Sequence, residues 1–499
     1  MYVGRSGQNR NHSLMPSTHS PRARNQTARE APTELPPNAG KAAAGIAIVL
    51  VAQLMIILDA TVVNVALPHI ATDLDFGPAA LSWVLNGYTL AFGGLLLLGG
   101  RIGDVFGRLR TFWLGLATFT LFSLLGGLAP TSELLVTFRA LQGVGAALAA
   151  PQVLALLTTS APDDAARNRA LALFAAVSSG GGTIGLILGG LLTDAGSWRW
   201  TMFINVPIGL AVLALVGRYV DETARRPGRF DVVGAISATG GAVAIVWGLI
   251  EAPEHGWGSW QTIGGLVVGL ALIGALVITE SRIAHPLLRL GLLRSHRRVG
   301  SLVLIASFVG AQFSMFYLVV QYLENQLGWG PLTAGVAFVP LTAGIFAVSR
   351  VTPRLLARVG APTLMVIGSL GGAAGFLWLS QIDSSSTYAA AVLGPLLLNG
   401  VSAGLVFMPS TATVLAGVEP EHAGAASGLL QTFQQLGGAV GLAVIASVYA
   451  ANAVPGEFLP GVHEAFLAAA ILAGLALASA LSLALRRSPR AAYAVGAAD

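Results

Sequence analysis

The chain has 499 residues, of which 54% are hydrophobic and 10% are charged, and its mean hydropathy is +0.73. The apolar residues come in runs of about twenty, the length needed to cross the ~30 Å hydrocarbon core of a membrane. This pattern excludes a soluble globular protein and predicts an all-α polytopic membrane protein. The net charge is +5 and cysteine is absent, which excludes disulfides, thiol catalysis and cysteine metal sites.

Fourteen membrane spans are predicted from the apolar runs, numbered here in chain order. They lie near residues 42–68, 80–100, 111–129, 133–158, 169–193, 200–218, 232–250, 262–280, 299–320, 331–350, 362–380, 388–410, 424–450 and 464–485.

The basic residues predict the orientation of these spans. All of the 28 Lys and Arg residues except Arg139 and Arg199 lie in the two tails or in the loops after spans 2, 4, 6, 8 and 10. Basic loops stay in the cytosol, so both termini are predicted to be cytosolic, in the cell (inner) membrane. The pI near 9.9 is therefore a consequence of topology, and no nucleic-acid partner is expected.

The termini and the chemical motifs exclude several other classes. Residues 1–41 are rich in Arg, Pro, Ser and Asn, which predicts a disordered cytosolic tail without a signal peptide. The one lysine, Lys41, is followed by Ala42, so the chain has no P-loop and ATP is not an expected partner. We find no zinc-protease HExxH motif and no nucleophile, base and acid set. No enzyme activity, metal site or cofactor is expected.

Asp59 is a carboxylate deep inside the first span. A charge at such depth costs ~2.5 to 3.5 kcal/mol on insertion scales, so intramembrane acids usually face a polar cavity and carry function. At 1.5 Å per residue, Asp59 lies ~13 Å and Arg139 of span 4 ~10 Å from the same membrane boundary. Opposite charges at similar depth can hold each other ionised, and protonation of the acid would free the arginine. A static ion pair is the alternative interpretation.

A short basic loop joins spans 2 and 3. Its glycines, Gly100 and Gly107, permit close approach of the backbone, and Asp104 can face an arginine or the positive end of a helix. Arg108 and Arg110 favour the cytosolic side. The segment runs from residue 100 to residue 110 and reads Gly-Arg-Ile-Gly-Asp-Val-Phe-Gly-Arg-Leu-Arg.

This loop resembles the GxxxDxxGRxR signature of the major facilitator superfamily. Three further stretches resemble its fourteen-span drug:proton antiporter branch, which contains the EmrB and QacA exporters. They are residues 58–68 in span 1, residues 139–145 in span 4, and residues 198–207 between spans 5 and 6. The resemblance extends over residues 42–486.

The resemblance implies a major facilitator fold, with two six-helix bundles and two extra central helices. The implied domains are a tail at 1–41, an N-terminal bundle at 42–218, a linker with spans 7 and 8 at 219–298, a C-terminal bundle at 299–486 and a tail at 487–499. Spans 7 and 8 could fill a gap between the bundles or contact lipid, and both roles stay open.

Span 5 departs from the family's antiporter motif, since Leu186 stands where the motif has proline. The change removes a helix kink but keeps Gly181, Gly185 and Gly189 on one helix face, where small residues permit close helix contact. The resemblance assigns these glycines, with Gly100, Asp104, Gly107 and Arg108, to gating, and Asp59 and Arg139 to proton coupling.

Neutral polar and aromatic side chains predict a substrate cavity. Gln431 shares a face of span 13 with Gln434 and Gln435. Neutral amides can bind a lipophilic substrate, and aromatic faces attract cations. The other candidates are Asn86 and Tyr88 in span 2, and Phe313, Phe316 and Tyr317 in span 9. Interhelical hydrogen bonding and packing are the alternative roles.

These features together predict a proton-coupled efflux transporter for lipophilic or cationic small molecules, surrounded by membrane lipids and working by alternating access. A sodium-coupled mechanism stays open, because Thr61 and Asn64 lie close to Asp59 in the sequence. The alternatives are an exporter of lipid or of one self-made natural product, a nutrient importer, and a non-transporting receptor or scaffold.

Overall fold

The computed structural model describes residues 39–77, 80–161, 163–223, 232–282, 290–418, 423–454 and 457–485. The N-terminal tail lies outside these residues up to position 38. The first helix begins at Ala39, close to the predicted end of the tail at residue 41. The predicted C-terminal tail lies entirely outside the described residues.

The described residues contain sixteen α-helices, nine of them between Ala39 and Glu280. They are α1 (Ala39–Asp73), α2 (Trp83–Phe106), α3 (Arg108–Gly127), α4 (Ser132–Ser160), α5 (Asp164–Ala195), the short α6 (Trp200–Phe203), α7 (Asn205–Tyr219), α8 (Val232–His255) and α9 (Trp260–Glu280).

Seven helices follow. They are α10 (His296–Gln321), the short α11 (Pro331–Val336), α12 (Val339–Val359), α13 (Ala361–Leu379), α14 (Leu393–Leu415), α15 (Ala423–Asn452) and α16 (Val462–Leu485). A π-helical turn, Tyr322–Gln326, extends α10, and a second one, Tyr388–Val392, leads into α14.

Thirteen helices among the described residues are long and apolar enough to cross a membrane. They coincide with thirteen of the fourteen predicted spans, with α6 and α7 forming span 6 and α11 and α12 forming span 10. The remaining predicted span, span 5, falls on α5, whose 32 residues are ample for a crossing. The predicted all-helical membrane fold is confirmed. Span 1 is longer than predicted, because α1 continues through Pro68 to Asp73.

The helix boundaries follow local chemistry. The side chains of Thr131, Asp163 and Ser295 accept hydrogen bonds from backbone amides in the first turns of α4, α5 and α10, which satisfies donors that a helix leaves free. Gly107 separates α2 from α3 with φ = 111°, a conformation that side chains rarely adopt.

Three apolar clusters show how the two halves of the chain meet. At the end of the bundle opposite the start of α1, predicted to be external, one cluster joins α1, α2, α5 and α6 to α10–α16. At the other end, predicted to be cytosolic, one cluster contains residues from α1–α5 and α7, and a separate one contains residues from α10 and α12–α16. The halves therefore share a core at the predicted external end and have separate cores at the predicted cytosolic end.

The two extra helices occupy different positions. Helix α8 packs between α2 and α15 in an apolar cluster that includes Leu90, Val246 and Ala443. The Ser447 hydroxyl on α15 also donates a hydrogen bond to the Leu249 carbonyl on α8. Helix α9 packs on α8 and presents an exposed apolar surface that includes Leu270, which is 64% exposed. Thus α8 bridges the two halves, and α9 lies on the outside of α8 with apolar side chains exposed.

Candidate functional site

Asp59 and Arg139 form an ion pair between α1 and α4. Nη1 of Arg139 lies 2.6 Å from Oδ2 of Asp59, and the two side chains are 1% and 0% exposed. The equal depth expected from the sequence therefore corresponds to direct contact. Each charge is therefore the main electrostatic compensation for the other at this depth.

The Arg139 guanidinium has three further contacts. Its Nε donates to the Val84 carbonyl of α2 at 3.2 Å, and its Nη1 also donates to Oε1 of Gln142 at 2.8 Å. Its central carbon lies 4.5 Å from the centre of the Tyr88 ring, within cation–π range. Arg139 therefore has partners that remain when Asp59 changes its charge.

The Asp59 carboxylate accepts two hydrogen bonds besides the one from Arg139. Nε2 of Gln142 donates to Oδ1 at 2.8 Å, and Nδ2 of Asn205, the first residue of α7, donates to the same atom at 2.9 Å. The Asn205 amide also donates to Oγ of Ser123 on α3, and Ser123 donates to the Met202 carbonyl. The carboxylate is therefore held by donors from both α4 and α7.

Gln142, Asn205 and Ser123 are site residues that the sequence interpretation did not assign. Gln142 lies three residues after Arg139 and thus on the same helix face, a signal that was available. Asn205 falls within the stretch that resembles the family, but nothing in the sequence places it beside Asp59. We refer to Asp59, Ser123, Arg139, Gln142 and Asn205 as the buried charge network.

Sodium coupling was left open because of Thr61 and Asn64, and the hydrogen bonds of these side chains go to groups other than Asp59. The Thr61 hydroxyl donates to the carbonyls of Ile57 and Leu58, and the Asn64 amide donates to those of Ala60 and Thr61. Both side chains thus bond to their own helix. Among the described residues, no group of three His, Cys, Asp or Glu residues has the geometry of a metal site.

The loop between α2 and α3 contains a local ion pair. Nη2 of Arg108 lies 3.0 Å from Oδ1 of Asp104, one helical turn away. The Glu222 carboxylate, which follows α7, accepts hydrogen bonds from the backbone amides of Leu109 and Arg110 at 3.0 and 3.1 Å. A side chain at Gly107 would meet this carboxylate at 2.7 Å. The loop is thus fastened to the end of α7.

The small residues near this loop and in α5 bring backbones together. Pro151 of α4 lies 3.6 Å from where a Cβ at Gly100 would be, and a side chain at Gly181 would meet Ile57 of α1 at 2.8 Å. Side chains at Gly185 and Gly189 would collide with Thr61 and with the backbone of Val62. The expected close packing of the span 5 glycines is observed, and their partner is α1.

A further face of α5 forms a seal with the second half of the chain. A side chain at Gly190 would collide with the Pro331 carbonyl, and one at Gly335 would collide with the Leu186 carbonyl. The two helices therefore touch backbone to backbone at the predicted external end. Leu186, at the motif's proline position, supplies one of the contacting carbonyls.

The candidate cavity residues of α2 and α10 are largely buried in this conformation. Asn86 is fully buried, and neither its amide nor the Tyr88 hydroxyl has a hydrogen-bond partner among the described residues. Tyr317 is fully buried in the core shared by the two halves. Phe313 packs against Gly438, and Phe316 lies 5.3 Å from the Phe338 ring. Of these residues, Tyr88 packs against the Arg139 guanidinium.

The three glutamines of α15 do not share one environment. Gln431 is exposed, whereas Gln434 and Gln435 are half-buried. Gln435 packs directly against Gly93 of α2, so it lies where the two halves of the chain meet. Gln431 is the most exposed of the three glutamines.

The sequence comparisons define the family of this chain. The family model of the Major Facilitator Superfamily matches residues 49–442. A puromycin resistance protein of Streptomyces alboniger is 41% identical over 410 residues, which are 81% of each chain. A cephamycin export protein of Amycolatopsis lactamdurans is 40% identical over 427 residues, which are 84% of this chain and 88% of the relative.

Solved structures share the fold. A POT family transporter in complex with 5-aminolevulinic acid has a TM-score of 0.67 at 13% identity, over 89% of this chain and 96% of that one. A bacterial homolog of the human lysosomal transporter Spinster has a TM-score of 0.63 at 15% identity, over 90% and 99% of the two chains.

The fold and the sequence matches define a multi-pass membrane transporter rather than an enzyme. The chain belongs to the Major Facilitator Superfamily.

Proposed function

We propose that the chain is a proton-coupled exporter of lipophilic or cationic small molecules. The observation that carries the proposal is the buried charge network, in which a fully buried carboxylate on α1 is held by donors from α4 and α7. Carboxylates at such depth in a transporter are commonly proton relays. The two relatives named above carry resistance and export in their names, which supports the outward direction.

The network has a chemistry suited to coupling. A proton on Asp59 removes the charge that holds Arg139 across 2.6 Å, and it weakens the hydrogen bonds from Gln142 and Asn205. The Arg139 guanidinium keeps its contacts with Val84, Gln142 and the Tyr88 ring. Protonation thus loosens α1 from α4 and α7, while the arginine still has hydrogen-bond and ring partners.

The alternating-access motion is supported by the unequal ends of the molecule. The α5–α11 backbone contacts and the shared core close the predicted external end, whereas each half has its own core at the predicted cytosolic end. This arrangement supports a state open toward the cytosol, in which substrate would enter. Rocking of the two bundles would break the external seal. Asp104, Gly107 and Arg108 would then control the cytosolic side.

The proposed substrate class rests on neutral polar and aromatic side chains. Gln431 is exposed and Gln434 is half-buried, and both provide neutral amides; Phe313 and Phe316 provide half-buried aromatic rings. Such a lining accepts apolar compounds and attracts cations through ring faces, but it does not require an anion. Protons supply the energy in place of ATP. The exposed apolar side chains of the outer helices contact membrane lipids.

We further propose that both termini are cytosolic, in the cell membrane, and that the domain boundaries are those inferred from the sequence. Export of one self-made natural product is the second candidate, and the name of the cephamycin export protein favours it. A broad substrate spectrum separates a multidrug exporter from this alternative. A receptor or scaffold would tolerate loss of Asp59.

The test is efflux from proteoliposomes loaded with a fluorescent lipophilic cation. The proposal predicts uphill movement when a pH gradient is imposed and collapse of that movement when an ionophore dissipates the gradient. A sodium gradient in place of the pH gradient should have no effect. Substrate movement that ignores the pH gradient would overturn proton coupling, and no movement of any tested compound would overturn export of this class.

A further inference from the structure

An ion pair joins the two halves of the chain at the predicted external end. Nδ1 of His69, near the end of α1, lies 3.4 Å from Oε2 of Glu324. Glu324 lies in the π-helical turn Tyr322–Gln326 that extends α10. Such turns inside helices are frequent at functional sites. The pair therefore connects a helix of the first half to one of the second half, beside the α5–α11 seal.

The two partners differ in their access to water. The Glu324 side chain is 6% exposed, and its Oε1 has no hydrogen-bond partner among the described residues. The His69 side chain is 46% exposed. It lines a surface cleft of about 430 Å³ together with Asp73, Trp198 and Arg199. A buried carboxylate thus depends on an imidazole that external water reaches.

The charged neighbours of this pair are few. Asp194 on α5 is the other group whose charge acts on His69, and it lies near Gly330 of the second half. Asp73, one turn further along α1, is engaged by Arg199 and by the Trp198 indole. No cation other than His69 acts on Glu324 among the described residues.

We propose that His69 and Glu324 form a second proton site, which acts as a latch on the external gate. The proposal rests on the proposed function, because a gate requires two alternating openings. The imidazolium form of His69 compensates the buried Glu324 carboxylate and keeps the two halves together. Loss of the proton to the external cleft leaves that carboxylate buried without a counter-charge, which favours separation of the halves and its hydration.

This site is separate from the buried charge network. His69 follows Asp59 by ten residues, which is ~15 Å along α1 and too far for direct proton transfer. The latch also differs in kind, because it joins the two halves, whereas Asp59 and its partners all lie in the first half. Proton occupancy of the latch therefore acts on the gate and not on the Asp59–Arg139 pair.

The direction of the pH effect follows from which partner carries the proton. Histidine in water titrates near pH 6.5, so the attraction is present in mildly acidic solution and is lost as the pH rises. We expect the fraction of molecules with a separated external end to rise roughly fivefold between about pH 6 and pH 8.5. The change is moderate because the His69 side chain is half-exposed, and water weakens a charge-assisted hydrogen bond relative to a fully buried one.

Pulsed electron paramagnetic resonance on spin-labelled protein tests the latch without substrate or gradient. The chain has no native cysteine, so Ala195→Cys and Ser384→Cys place one label on each half at the predicted external end. Thr159→Cys and Ala357→Cys report on the opposite end. We expect the external distances to lengthen as the pH rises, and the distances at the opposite end to shorten.

Two variants with neutral side chains should abolish this pH step in opposite directions. Glu324→Gln needs no counter-charge and should stay closed at both pH values, whereas His69→Gln leaves the carboxylate without a counter-charge and should be separated at both. His255→Gln is the matched control, because His255 pairs with Glu251 within α8, with Nδ1 and Oε2 3.1 Å apart, and should retain the step.

A pH step that survives in either variant, or that is missing from the native pair, would overturn the latch. Failure of the proposed function has a different signature. It would abolish substrate efflux from proteoliposomes while the pH-dependent distances remained.

Discussion

Nη1 of Arg139 on α4 lies 2.6 Å from Oδ2 of Asp59 on α1, and the exposed fraction of neither side chain exceeds 1%. Because both charges are buried, each is the main electrostatic compensation for the other. The pair is therefore the point at which one proton changes the forces between α1 and α4. The predictions below follow from the contacts around it and from the seal between the two halves.

Asn205→Ala should slow uphill efflux several-fold. The variant removes the hydrogen bond that ties α7 to the Asp59 carboxylate, and a hydrogen bond to a charged group is worth about 1.5 to 3 kcal/mol. The measurement is the rate of efflux from proteoliposomes under an imposed pH gradient. Asn452→Ala is the control, since that amide bonds to its own helix, at the Val448 carbonyl. A native efflux rate in Asn205→Ala would remove Asn205 from coupling.

Gly190→Val should open the predicted external end. The added side chain collides with the Pro331 carbonyl, a backbone atom that cannot rotate away, so the seal between α5 and α11 must separate. Distances between labels at Ala195→Cys and Ser384→Cys should lengthen. Gly474→Val in α16 is the matched control, because nothing lies within 4 Å of its Cβ position. If Gly190→Val kept the native distances, the seal would be more compliant than we infer.

Asp104→Asn should slow turnover several-fold and change substrate affinity little. The variant removes the 3.0 Å ion pair with Arg108 but keeps the shape of the side chain. It also keeps the hydrogen bonds that backbone amides at the start of α3 donate to Glu222. Transport rate and substrate binding, measured on the same preparation, separate the two effects. Asp221→Asn, at an exposed residue paired with Lys41, controls for the loss of a surface charge. Native turnover in Asp104→Asn would reduce the loop to a topology signal.

Single cysteines at Ser160 and Ser384 should establish the orientation, because the chain has no native cysteine. Ser160 ends α4, and Ser384 lies in the exposed connection between α13 and α14. An impermeant thiol reagent applied outside intact cells should label Ser384→Cys and should leave Ser160→Cys unlabelled until the membrane is permeabilised. The reverse pattern would invert the topology.

The sequence predicts the spans well because each depends on a local property, the apolar length of one segment. The similar depth of Asp59 and Arg139 in the membrane is likewise predicted from the helical rise alone. The donors from Gln142 and Asn205 to Asp59 depend on how α1, α4 and α7 pack, since 83 and 146 residues separate them from Asp59. The position of Tyr88 over Arg139 depends on the same packing.

The contacts between the two halves were also outside the reach of sequence patterns. Gly190 and Gly335 are ordinary small residues in apolar helices until α5 and α11 are brought together. The bridging position of α8 is similar, because its apolar sequence would suit lipid equally well. These features depend on long-range packing, which composition does not predict.

The central claim is that Asp59 carries the coupling proton, and Asp59→Asn tests it most directly. The amide keeps the shape of the side chain but cannot ionise, so the variant should insert and fold normally and still bind or exchange substrate. It should neither concentrate substrate against a gradient nor move protons when substrate is added to proteoliposomes, whereas Asp221→Asn should do both. Uphill, proton-linked efflux at the native rate by Asp59→Asn would contradict the account and place coupling elsewhere.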